Sequence, residues 1–189
     1  WTSAVVLFGD NPERVLNILE GDSRSYETIA REYYLTGNLM EQDQPMSNRT
    51  PLYPAFIALH YNIFGRNLLA LMFSQIVISV GTIGLVYMIA KKIWNPIVGI
   101  LASSIFALDP LSFMFSHLVM TETLFSFVMT FMVFSGINLF HNLTQKRWFP
   151  LVGCSLGLAT LIRPISYYLI VPVVLIIFIG LRKKYSPRK

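Results

Sequence analysis

The chain has 189 residues, of which 54% are hydrophobic and 13% charged, with a formal net charge of +5 and a mean hydropathy of +0.55. Soluble domains are about one quarter charged, so the composition excludes a soluble globular protein and predicts an all-α, polytopic integral membrane protein. The single Cys154 excludes an internal disulfide, His60, His117 and His141 are too scattered for zinc, and the basic residues flank apolar runs, which reads as topology rather than nucleic-acid binding.

In chain order, Trp1–Phe8 is too short to span and lacks a signal-peptide pattern, so it reads as the tail of an upstream span in a fragment of a longer protein. Asp10-Asn11-Pro12 reads as a turn. A polar block, Gly21 to Glu32, follows. Within it, Tyr26, Ile29, Ala30 and Tyr33 recur at i, i+3, i+4, i+7, which predicts an amphipathic helix over Ser23–Tyr34 that stops at Gly37. Arg24, Glu27 and Arg31 fall off that stripe and are expected on a solvated face.

Asn48-Arg49-Thr50 forms a glycosylation sequon, and Pro51–Phe64 is apolar but short for a span at about 14 residues. It is expected to lie in the membrane interface, with Tyr53, Phe56, Tyr61 and Phe64 at headgroup depth. Five apolar stretches come next: Ala70–Ala90, Ile97–Phe115, Thr121–His141, Pro150–Arg163 and Ile165–Leu181. Asp109-Pro110 reads as a turn at the membrane face. Thr121 is expected to cap a helix that carries Glu122 in its first turn. Gly153 and Gly157 form a Gly-x-x-x-Gly pair expected to pack a neighbouring helix. Asn142-Leu143-Thr144 is a second sequon, on the opposite side.

Charge sets the topology. Lys91-Lys92, Lys146-Arg147 and the tail from Arg182 to Lys189 fall on one side with nine basic residues and no acid, while all ten acids fall on the other. The positive-inside rule therefore predicts an extracytoplasmic loop with juxtamembrane helices over residues 1–66, a membrane region over 67–189 with about five spans, and a cytoplasmic C-terminal tail.

The motifs Asp22-x-x-x-Tyr26, Ala30-Arg31-Glu32, Arg49-Thr50-Pro51-Leu52, Ile63-Phe64-Gly65, Thr121-Glu122-Thr123-Leu124-Phe125 and Leu161-Ile162-Arg163-Pro164 occur in an order that resembles polyprenyl-phosphate-dependent membrane glycosyltransferases. The resemblance is to the protein mannosyltransferases and the transferase that adds aminoarabinose to lipid A. Aminoarabinose transferases usually have Asp-Glu in place of Asp22-Ser23, and Lys-Pro-Pro-Leu in place of Arg49-Thr50-Pro51-Leu52.

This resemblance implies a polyprenyl-phosphate sugar donor, a lipid, glycan or protein acceptor, contact with membrane lipids, and a bacterial or archaeal plasma membrane. It leaves sugar and acceptor open. The acceptor needs a general base, for which Asp22 is the catalytic candidate and Asp10, within its turn, the less favoured alternative, and the leaving phosphate needs cations, for which Arg49 and Arg163 are candidates. Tyr26, Tyr53 and Glu122 complete the expected substrate-binding set. No cofactor is evident; no acidic cluster calls for a divalent metal, and the requirement stays open.

Each residue also has a structural explanation. Asp22 suits a helix N-cap, Arg49 a lipid headgroup contact, and Arg163 a side chain snorkelling from a stretch of about 14 residues, roughly 21 Å as helix. The rival functions are a membrane transporter and a non-catalytic membrane subunit.

Overall fold

In a computed structural model of the protein, residues 21–38, 40–41, 44–45, 49–141 and 147–185 are described. The features read at Trp1–Phe8, Asp10, Asn48 and Asn142-Leu143-Thr144 lie outside them.

The described chain is helical apart from two paired two-residue strands. Helix α1 (Asp22–Thr36) ends at Gly37, whose φ of 74° is the left-handed conformation that glycine adopts without strain, and its N–H bonds to Tyr33 O at 2.9 Å. Strands β1 (Met40–Glu41) and β2 (Gln44–Pro45) pair antiparallel, Met40 with Pro45 and Glu41 with Gln44. Helix α2 (Leu52–Phe64) follows Pro51.

Helix α3 (Leu68–Ile93) is 26 residues long, about 39 Å, and is capped by Asn67, which accepts from the N–H groups of Leu69 and Ala70. Lys91 and Lys92 lie in its last turn, where the helix dipole favours cations. Helices α4 (Pro96–Ala107) and α5 (Pro110–Ser116) both open on proline behind a side-chain cap, Asn95 and Asp109 respectively. Helix α6 (Glu122–His141) has 20 residues and α7 (Trp148–Ile162) has 15. A 3₁₀ helix over Pro164–Leu169 then leads into α8 (Ile170–Tyr185).

Helices α3 and α6 are each long and apolar enough to cross a bilayer. The stretch Ile97–Phe115, expected to cross, forms the pair α4 and α5, bent by 60°, which together are long and apolar enough for a broken span or a re-entrant loop. The break is local chemistry: Asp109 Oδ2 accepts from Ser112 N at 2.8 Å to start a new helix, and Pro110 lacks the N–H to continue the old one. The last two expected spans are shorter apolar helices, Trp148–Ile162 and Pro164–Gly180. Pro164 ends α7, as its position predicts, but the chain then winds as a 3₁₀ run before α8.

Helix α3 packs on α4 and α6, α6 packs on α7, and α1 packs on α2. Outward faces carry Phe73, Val77, Val80, Ile97, Ile105 and Val171, all exposed, which suits hydrocarbon but not water. Lys92 Nζ donates to Asn138 Oδ1, while Gln75 Nε2 donates to Met120 O at 3.3 Å. The lysine end of α3 therefore meets the C-terminal end of α6, and its Leu68 end meets the start of α6.

Three expectations are corrected by packing. Tyr53 and Tyr61 are buried inside the α1–α2 pair rather than exposed to lipid headgroups, because both helices close their aromatic faces on each other. Glu27 belongs to no solvated face: it is fully buried, accepting from Arg66 Nη2 at 2.8 Å and Tyr61 Oη at 3.2 Å, and Arg31 is half-buried. Gly153 and Gly157 lie on an exposed face of α7, where a Cβ would meet nothing within 4 Å among the described residues.

Candidate functional site

Asp22 is the first residue of α1. The N-cap position belongs to Gly21, and the Asp22 carboxylate turns instead to Arg49, its Oδ1 accepting from Nη2 at 2.6 Å. One helical turn along, Tyr26 shares that face, and the Arg49 guanidinium lies over its ring at 5.1 Å from the centroid. Tyr26 in turn meets Tyr53 edge-on, with ring centroids 5.1 Å apart. Tyr53 is fully buried, so it presents no surface to a ligand here and lies beneath Tyr26 as support. Its hydroxyl accepts from Gln75 Nε2 at 3.2 Å.

A second arginine–carboxylate pair stands beside the first. Arg163 leaves α7 in extended conformation, its N–H bonded to Ala159 O at 2.8 Å, ahead of the proline that ends the helix. Its Nε donates to Thr121 Oγ1 at 3.0 Å, and its Nη2 donates to Glu122 Oε1. Thr121 is thus a partner of Arg163 rather than simply the cap its position suggests. Across the gap, Thr50 Oγ1 donates to Ile162 O at 2.6 Å, joining the residue after Arg49 to the residue before Arg163.

The charges act on one another. The hydrogen bond from Arg49 holds the Asp22 carboxyl below its ordinary value; slight burial opposes this, and the charges of Arg49 and Arg163 add to the lowering. Burial pushes the Tyr53 hydroxyl up, the bond from Gln75 opposes, and the charge of Glu122 adds to the rise. Glu122 also lines a small hollow together with Ser79, Thr82, Ser112, Thr123 and Ser126. Among the described residues, no three His, Cys, Asp or Glu side chains converge as metal ligands.

All six expected site residues therefore gather where the starts of α1, α2 and α6 and the end of α7 come together. Asp22, Arg49 and Tyr26 touch directly, Tyr53 lies under them, and Arg163 with Glu122 forms the neighbouring pair. Sequence reasoning missed Thr50 and Gln75. Gln75 had a signal, as the one strongly polar residue within Ala70–Ala90. Thr50 had none beyond its place next to Arg49.

The dolichyl-phosphate-mannose-protein mannosyltransferase family model matches residues 43–188. The chain belongs to that family. It is an integral membrane protein of a glycosyltransferase family. No curated protein and no solved structure matches it. Arg49, Tyr53, Glu122 and Arg163 fall within the span matched to the mannosyltransferases, whereas Asp22 and Tyr26 precede it.

Proposed function

We propose that the protein transfers a sugar from a polyprenyl-phosphate donor to a hydroxyl or amine acceptor at the extracytoplasmic face of the membrane, with inversion. The observation that carries this reading is the contact of one half-exposed carboxylate, Asp22, with the Arg49 guanidinium, close enough to the Arg163–Glu122 pair for the Arg163 charge to act on it, in a chain of the mannosyltransferase family. The lysine end of α3 is the opposite end, which supports a cytoplasmic position for Lys91 and Lys92 and an outer position for the cluster. The setting would be a bacterial or archaeal plasma membrane, with residues 1–66 outside and the C-terminal tail inside.

In this mechanism Asp22 accepts the proton of the acceptor as the acceptor atom bonds to the anomeric carbon. The bond from that carbon to the phosphate oxygen breaks, and its electron pair leaves with the phosphate. Arg49 and Arg163 hold the phosphate oxygens and offset the charge that develops on them. Tyr26 supports the plane of Arg49, Tyr53 supports Tyr26, and Glu122 with Thr121 orients Arg163.

The test follows label from polyprenyl-phosphate sugars in membranes containing the full-length protein. Asp22→Asn is expected to insert normally and to abolish transfer. Transfer unchanged by that substitution would remove Asp22 from the base role. Absence of transfer from every donor, with the protein intact, would overturn the enzymatic reading.

A further inference from the structure

We infer that the Asp22–Arg49 ion pair is an exchangeable latch, in which the donor phosphate takes Arg49 from Asp22 and only then frees the carboxylate to act as base. This rests on the glycosyl-transfer reading above and adds a partner exchange to it.

The first argument is geometric. An inverting transfer needs its base on the sugar face opposite the leaving group, with room between them for the reacting carbon. Asp22 Oδ1 and Arg49 Nη2 are in contact at 2.6 Å, so the carboxylate that would take the acceptor proton is engaged by the same cation that would hold the phosphate, and that Nη2 cannot serve both at once.

The second argument is an asymmetry between the two ion pairs. Arg163 is fixed at both ends: Thr121 and Glu122 hold its guanidinium, and Thr50 holds the carbonyl of the residue before it. Glu122 is only 22% exposed and sits at a helix start. Asp22 is 52% exposed and grips Arg49 through one oxygen. Exposed pairs of this kind contribute little. Tyr26 provides the third argument, because its ring holds the Arg49 plane independently of Asp22. Arg49 can therefore keep its place while its anionic partner changes.

The exchange also orders the cycle. It involves no covalent change by itself. After transfer Asp22 carries the acceptor proton and cannot recapture Arg49, so return to the resting pair requires loss of that proton and departure of the phosphate.

Binding of a fluorescent polyprenyl monophosphate without sugar, measured on the full-length protein in detergent, tests the latch apart from transfer. Asp22→Asn is expected to abolish transfer yet tighten this binding, by about two- to fivefold, the range expected when an exposed competing pair is removed. In an Arg49→Ala background the same substitution is expected to change binding by less than that. Unchanged or weaker binding in Asp22→Asn would overturn the latch while leaving the base role standing. Equal tightening with and without Arg49 would also overturn it, since simple charge repulsion would then account for the effect. Should the unsubstituted protein bind no polyprenyl phosphate, or Arg49→Ala leave that binding intact, the phosphate reading itself would fall.

Discussion

Thr50 and Ile162, 112 residues apart in sequence, are joined by a hydrogen bond of 2.6 Å from Thr50 Oγ1 to the Ile162 carbonyl. The bond ties together the segments that carry Arg49 and Arg163, and on the proposed reading it would set the spacing open to a phosphate between them. Thr50→Val keeps the shape and removes the donor. It is expected to cost about 1 kcal/mol of stability and to lower transfer by roughly tenfold through lost alignment. Thr50→Ser should recover most of the loss, and melting temperature together with transfer rate would check both effects.

Glu27 and Arg66 make a different kind of pair, with the carboxylate fully buried and the arginine 24% exposed. Removing one partner of a buried pair costs about 3–5 kcal/mol, and the partial exposure of Arg66 places this one toward the lower end. Glu27→Ala is therefore expected to lower the melting temperature strongly and to loosen α1, with transfer lost alongside. Glu27→Leu combined with Arg66→Met should be far milder than the single change. A double-mutant cycle of thermal unfolding in detergent measures the difference.

Arg163 uses two N–H groups of one rigid plane, toward Thr121 and toward Glu122. Lysine keeps the charge but not that fork. Arg163→Lys is expected to reduce transfer by roughly tenfold or more, and Glu122→Gln to raise the KM for donor more than it lowers kcat. Steady-state kinetics over donor concentration separate the two.

The depressed pKa of Asp22 gives a pH prediction. Because the folded value lies below the ordinary 3.8, the ion pair is intact above that ordinary value and is lost as pH falls through the folded one. The acid limb of kcat/KM, which reports the free enzyme, should lie below pH 3.8. The limb of kcat, which reports the donor complex, should lie higher if Arg49 has moved to phosphate. Arg49→Ala should bring the two limbs together.

Much of the fold was legible because its signals are local. Gly37 as a stop, the stripe of Tyr26, Ile29 and Ala30, and the break at Pro164 each depend on a few neighbouring residues. Glu27 was not legible, because its burial depends on Arg66, 39 residues away. Pro51–Phe64 is apolar enough to suit lipid or protein equally, and only the approach of α1 decides between them. Asp109-Pro110 marked a turn, yet the 60° bend between two helices follows from how the cap and the proline act together. The candidate residues that the structure brings together could be read from the sequence as residue types in order. Their pairing into two adjacent ion pairs was not, since each pair joins distant segments.

The Gln75 amide has one more consequence. It reaches the Tyr53 hydroxyl and the Met120 carbonyl from a point seven residues into α3, about 10 Å along the helix from Leu68. The aromatic floor under Arg49 is therefore referenced to a membrane-embedded helix rather than to a surface loop. The proposed donor, with its tail in the bilayer, would carry its phosphate at a height set by the lipid. Gln75 would give the protein a matching height, so that on this reading protein and donor would measure depth from the same membrane.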